Sequence, residues 1–365
     1  MKHFDDCLFL EGAEYIQAYF KDKEKTLVTV GKGFDPRAPR VLETVKDVLK
    51  DPCIWVIDYE DRGNNESELN ESRSKENMER ITELCNNKNV VRKSVPQYSR
   101  QEDSKILVIS ESVRGAFTAD DIKMFSNIIV DMSAMPRAVV FSIIKRLLTV
   151  KGEDQKLYIA VCENSDWDEK INPIADEDTA EYLQGFNTFS MSQENLREEV
   201  IWIPMLGKHE MDAFKIICNF LDPIEICPVV PFPATDIQRG ESILREYGEE
   251  LFRNHGVDRR NVIYVPENNP ILVYRKLYDT IRYYKKALSK NNMVNDEYKY
   301  AFSSQSSKLI DLGMLLAVLK ITEDEKEIKV GIVVVGHQGY PYSDKYKEEN
   351  SELYCLCLDE DIFGW

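Results

Sequence analysis

The sequence predicts an α/β fold of doubly wound, largely parallel, Rossmann-like sheets divided into two lobes. Three observations predict it. Ten short apolar, β-branched runs are spread along the 365 residues, and amphipathic helical patterns separate most of them. Strands alternating with helices imply βαβ crossovers and a parallel sheet covered on both faces. Ten strands are also many for one open sheet, since strongly twisted sheets rarely exceed about ten. Two lobes, 1–190 and 191–365, joined near 187–199, accommodate them; one long continuous sheet is the alternative.

The strand candidates of the first half are 27–30, 53–58, 106–109, 128–131 and 157–162. Those of the second half are 200–203, 225–230, 262–265, 298–302 and 330–335. Each is short and rich in Val, Ile or aromatic residues, as a strand buried on both faces should be. The helical patterns include V-L-E-T-V-K-D-V-L, A-V-V-F-S-I-I-K-R-L-L, M-D-A-F-K-I-I-C-N-F-L, S-I-L-R-E-Y-G-E-E-L-F-R and K-L-I-D-L-G-M-L-L-A-V-L. Residues 61–77 hold one apolar residue in seventeen and read as an exposed or disordered loop. The acidic tail after Tyr340 ends in D-I-F-G-W, which is expected to dock on the C-terminal lobe.

Net charge is −17. A field of that sign excludes bulk nucleic acid and anionic membrane as partners, though not a local basic pocket. No stretch reaches the roughly 18 apolar residues of a membrane span, and the start lacks the pattern of a secretory signal. Several of the eight cysteines lie in strand-like runs and read as buried thiols. None forms a Cys-x-x-Cys pair. Cys355 and Cys357 would share one strand face. This cysteine usage suits the reducing cytoplasm.

Ligands of open parallel sheets bind outside the carboxyl ends of the strands, so the loops there carry the functional reading. They are G-K-G-F-D-P-R-A-P-R after the first strand, D-M-S-A-M-P-R-A after the strand at 128, and P-F-P-A-T-D-I-Q-R-G after the strand at 225. Each combines proline, a small or acidic residue, and an arginine at a helix start. S-S-Q-S-S-K and G-H-Q-G-Y-P-Y-S follow the last two strands.

Helix N-termini present unpaired N–H groups and roughly half a positive charge, which favour an anion. Gly31 and Gly33 permit close backbone approach. Arg37, Arg40, Arg137, Arg239 and Lys308 would donate to phosphate oxygens, with Ser133, Ser304 and Ser307 adding hydroxyls. Asp35, Asp131 and His337 are the candidate acid and base, with Asp58 and Asp236 as further strand-end acids. No residue is assigned to a metal, but Mg²⁺ with phosphate is the cofactor these carboxylates would accept. A purely structural reading competes: Asp or Ser caps a helix, Pro suits its first turn, and Arg37 pairs with Asp35.

Three functions follow. The first is a cytoplasmic protein binding a phosphorylated, nucleotide-like small molecule at these loops, with hydrolysis or group transfer on it. The second is a non-enzymatic subunit of a bacterial multiprotein complex, defensive or regulatory. The Tyr-rich, basic segment 274–288 would then meet a partner protein or a second copy of the chain. The third is an S-adenosyl methionine-dependent methyltransferase, with Asp58 on the ribose. A dinucleotide dehydrogenase fits less well, because Pro36 stands where its third glycine belongs. A P-loop is excluded by its missing motif.

Overall fold

Runs of Val, Ile and Leu closed by a glycine, acid or serine form the central strands. The computed structural model describes residues 4–59, 68–86, 89–99, 107–164, 167, 174–188, 199–289, 299–339 and 351–361. In chain order the strands are β1 (Cys7–Glu11), β2 (Thr26–Gly31), β3 (Cys53–Asp58), β4 (Val90–Ser94), β5 (Asn127–Asp131), β6 (Lys156–Glu163) and β7 (Ile174–Tyr182). They continue with β8 (Val200–Met205), β9 (Glu225–Ile226), β10 (Val229–Pro231), β11 (Ile263–Val265), β12 (Lys299–Ser304), β13 (Lys329–Gly339) and β14 (Glu352–Asp361). The helices are α1 (Ala13–Phe20), α2 (Arg40–Val45), α3 (Glu68–Leu84), α4 (Ile109–Ala116), α5 (Ala119–Ile122) and α6 (Arg137–Val150). After them come α7 (Met211–Leu221), α8 (Arg239–Glu246), α9 (Pro270–Ser289) and α10 (Lys308–Asp324).

The chain forms two Rossmann-like units, each with its own sheet. One comprises Asp6–Ile174 and Gln338–Trp365, the other Met1–Asp5 and Ala175–His337. The first sheet runs β1-β14-β6-β5-β2-β3-β4. Its five strands from β6 to β4 are parallel, and β14 lies antiparallel between β6 and β1. The second sheet runs β11-β10-β8-β12-β13-β7, with β9 beside β8. Its strands from β11 to β13 are parallel.

Alternate residues supply the two buried faces. In the first unit Val28, Val30, Ile54, Val56 and Ile129 pack under α1, α2 and α3. Trp55, on the other face, meets Phe117 and Phe125. In the second unit Trp202, Ala301 and Val333 pack with Phe214 of α7 and Ile243 of α8. Each fully buried aliphatic or aromatic side chain contributes roughly 1.5–3 kcal/mol. These two-sided cores, more than strand propensity, hold the parallel strands.

Several expectations need correction. Residues 107–109 of the run 106–109 are not a strand: Leu107 makes an isolated antiparallel bridge to Tyr98, and α4 begins at Ile109. The fourth strand is instead β4, V-V-R-K-S, whose side chains are mostly exposed because it closes the sheet edge. The stretch 61–77 is not wholly a loop. From Glu68 it is helix α3, which buries Met78 and Ile81; residues 61–67 lie outside the described residues. Of the C-terminal segment, residues 352–361 belong to the first unit, and the final residues 362–365 lie outside the described residues. As β14, residues 352–361 insert into the first sheet, with Cys355 and Cys357 on one core-facing side. The chain therefore divides at 174–175 and again at 337–338, where the sequence suggested one joint at 190–191. Residues 189–198 also lie outside the described residues.

Candidate functional site

In the first unit the chain leaves β2 through β3 to β4, then returns to the other side of β2 as β5 and β6. The order reverses between β2 and β5, the position at which open parallel sheets bind their ligands. Thr29 lies opposite Val130, so Gly31 and Asp131 end neighbouring strands at that point.

Asp131 is 1% exposed. Its Oδ1 accepts from Ser133 N at 2.9 Å and Ser133 Oγ at 2.5 Å. The same Ser133 Oγ accepts from Cys162 N at 2.7 Å, which ties the loop to β6. Asp131 Oδ2 is buried and has no hydrogen-bond partner. Burial pushes this carboxyl up to about 7; the Ser133 bonds pull it down, Asp35 raises it further and Arg37 opposes that. Burial dominates because desolvation disfavours the charged form. The β2–α2 and β5–α6 loops meet where Gly31 lies against Met135.

In the β2–α2 loop, Arg37 Nε donates to both Asp35 oxygens at 3.1 Å and Nη2 donates to Oδ2 at 2.7 Å. Asp35 Oδ1 also accepts from Arg37 N at 2.9 Å. Both residues are buried. The structural alternative therefore describes this loop: Arg37 is committed to a forked ion pair with Asp35. Asn77 of α3 pins the loop by donating to Gly33 O at 2.7 Å and Asp35 O at 2.9 Å.

The glycines serve close packing of the protein on itself. A Cβ on Gly31 would stand 2.5 Å from Met135 Cγ, and one on Gly33 would meet Tyr59 Oη. Tyr59 donates to Ala134 O at 3.3 Å, so its ring bridges the two loops. On the rim, Lys32 Nζ donates to Asp58 Oδ1 and Oδ2 at 2.9 and 3.1 Å, with the side chains 36% and 32% exposed. Arg137 is the first residue of α6, a helix without a side-chain cap.

Asp236, Arg239, Ser304, Ser307, Lys308 and His337 belong to the second unit. Asp236 is exposed and accepts from Gln238 N at 2.9 Å. Arg239 pairs with Glu267 at 2.9 Å, both buried, much as Arg37 pairs with Asp35. Ser307 caps α10 by accepting from Ile310 N at 3.4 Å, and Lys308 is the first residue of that helix. Ser304 ends β12. His337 lies within β13 rather than in a loop after it, and its side chain lies outside the described residues.

Arg40, Arg137, Arg239 and Lys308 each open a helix. Cations are disfavoured there by the macrodipole, so each position calls for an anionic neighbour. Glu267 supplies one for Arg239, and Glu43 lies 3.5 Å from Arg40.

No protein-family model matches the chain, and no curated protein matches it in sequence. Solved structures with some likeness include the NadR protein in complex with NR, at 9% identity and a TM-score of 0.27, covering 86% of this chain and 91% of that one. Another is coclaurine N-methyltransferase bound to N-methylheliamine and SAH, at 9% identity and a TM-score of 0.22, covering 94% of this chain and 70% of that one. Likenesses this slight carry no argument about ligand or reaction; the strand order itself carries the Rossmann-like description.

The Tyr-rich helix α9 is largely used inside the second unit. Tyr274 and Tyr278 are buried, Tyr278 donates to Asp324 Oδ2 at 2.9 Å, and Tyr284 Oη lies 3.2 Å from Cys227 Sγ. Tyr283 is exposed. Among the described residues no group of His, Cys, Asp and Glu is arranged to hold a metal ion, and no helix is long and apolar enough to cross a membrane. Tyr59, Asn77, Met135 and Glu267 were not legible as loop partners. Nothing in their local sequence marks them, since each acts through a contact made by the fold.

Proposed function

We propose that the first unit binds a nucleotide-like small molecule outside the carboxyl ends of β2 and β5, and that Asp131 exchanges a proton or a hydrogen bond with it. The observation carrying this reading is Asp131 Oδ2: buried, without a partner, and on a carboxyl pushed up to about 7. Near neutral pH such a group is present in both forms, as a general acid or base requires. Perturbed carboxyls in clefts are functional candidates for this reason.

The surroundings suit a nucleotide. The start of α6 offers first-turn N–H groups and Arg137 to a phosphate. Asp58, at the end of the adjacent β3, suits ribose hydroxyls once Lys32 releases it. Arg37 does not grip the ligand in this reading. It neutralises Asp35 and fixes the loop.

Thermal shift with nucleotides, nucleotide sugars, cyclic dinucleotides and adenosyl methionine, with and without Mg²⁺, tests the proposal. A ligand at 100 times its dissociation constant adds about 2.7 kcal/mol. The expected result is a hit in the wild type that Asp131→Asn loses while staying folded. A flat panel on folded protein overturns it. A shift with adenosyl methionine alone would favour the methyltransferase reading, which the position of Asp58 beside the glycine loop supports.

A further inference from the structure

The second unit repeats the strand order of the first. Its chain leaves β8 through β10 to β11, then returns as β12 and β13, so its order reverses between β8 and β12. Ser304 and Met205 are the last registered pair there. Beyond them the backbones remain in contact: Gln305 N donates to Met205 O at 3.1 Å, and a Cβ on Gly207 would fall on the Gln305 carbonyl. Tyr247 fixes the other side by donating to Gly207 O at 3.0 Å.

Two of the polar side chains in this bend have structural work. Ser303 Oγ accepts from Trp202 Nε1 at 3.1 Å, and Ser307 caps α10. Ser304 and Gln305, which lie between them, do not. Gln305 is 5% exposed, and both its Nε2 and its Oε1 are buried without a partner. Ser304 Oγ is buried without a partner as well. Buried polar atoms are nearly always satisfied, and each orphan needs an explanation. Here three orphans fall on consecutive residues, at the reversal of strand order and ahead of the 17-residue helix α10.

We propose that this bend is a second ligand site, separate from the one in the first unit, which takes an adenine-type edge. A carboxamide presents donor and acceptor side by side in one plane. Its complement is a planar edge with an acceptor beside a donor, as in the ring nitrogen and amino group of adenine. Inorganic phosphate, a tetrahedral ion, lacks the planar paired edge that the carboxamide would match. Ser304 Oγ supplies one further bond. The assignment needs neither Asp131 nor any other residue of the first unit.

Calorimetric and thermal-shift titration with adenosine tests it on the whole protein, using wild type, Gln305→Met, Ser304→Ala and Asp131→Asn. Adenosine should stabilise the wild type but not Gln305→Met. Purine riboside, which lacks the amino group, and inorganic phosphate should have no effect. Unliganded Gln305→Met should melt at or above the wild type, because the substitution removes two orphaned atoms at similar volume. Ser304→Ala, which keeps the amide, should weaken adenosine by roughly 5-fold or more. The proposal is overturned if adenosine gives no shift, or if the shift survives Gln305→Met. A shift lost in Asp131→Asn but kept in Gln305→Met also overturns it, and would place adenosine in the first unit instead.

Discussion

The Ser133 hydroxyl donates to Asp131 Oδ1 at 2.5 Å and accepts the Cys162 backbone N–H at 2.7 Å. One oxygen of the carboxyl is thereby held by the loop while the other stays buried without a partner. Holding the group this way fixes its position and leaves its titration exposed to desolvation.

Stability should therefore depend on pH through Asp131. Its folded-state value of about 7 lies above its ordinary 3.8. The folded state binds the extra proton between those values, so stability is fully present below about pH 4 and is lost as pH rises through 7. At 1.36 kcal/mol per unit the loss approaches about 4 kcal/mol, an upper figure. Urea melts at pH 5 and pH 8 should differ in that direction, and Asp131→Asn should remove most of the difference. Equal wild-type stability at both values would mean that Asp131 is not a buried titrating group.

The Asp35–Arg37 pair should behave as structure. Removing one partner leaves an uncompensated buried charge, which costs about 3–5 kcal/mol. Arg37→Ala and Asp35→Ala should each lose that much in chemical denaturation, whether or not a ligand is present. Replacing the pair by Met and Leu should recover much of it. An Arg37→Ala protein of wild-type stability that has lost only ligand binding would return Arg37 to the role of anion donor.

The central parallel strands were legible because burial on both faces demands unbroken Val, Ile and Leu runs, as at β2, β5 and β12. Edge strands carry no such demand. β4 places Arg92 and Lys93 at the sheet edge, and β14 reaches its neighbours across most of the chain. The positions of Gly31, Asp35, Asp58 and Asp131 at or just after strand ends were legible for a related reason, because the strands themselves were. What each residue touches was not. Whether Arg37 meets Asp35 or a ligand, and whether Arg239 meets Glu267, depends on strand order and loop packing, which periodicity does not encode.

Gly313, in the middle of α10, should not tolerate alanine. Alanine in a helix interior gains about 1 kcal/mol over glycine by propensity. Here its Cβ would stand 2.5 Å from Val273 Cβ and 2.7 Å from Pro270 O of α9. Overpacking of that kind costs about 1–3 kcal/mol, occasionally more, and part of the obstacle is backbone. Net destabilisation of about 1–2 kcal/mol is expected from urea denaturation of Gly313→Ala. A stabilised variant would mean that α9 and α10 do not pack this closely.

Lys32 should act as a gate on Asp58 rather than as a support for the fold. The pair is partly exposed, and exposed pairs contribute about 0–1 kcal/mol. Lys32→Met should therefore leave the melting temperature nearly unchanged. The same substitution frees the Asp58 carboxylate for ligand hydroxyls, which in the wild type must displace an ammonium group. For a ribonucleoside that stabilises the first unit, Lys32→Met should tighten binding several-fold, and its 2′-deoxy counterpart should gain less. Asp58→Asn should weaken the ribonucleoside. These affinities are measurable by calorimetry, and equal gains for the ribose and deoxyribose forms would remove Asp58 from the ribose-binding role.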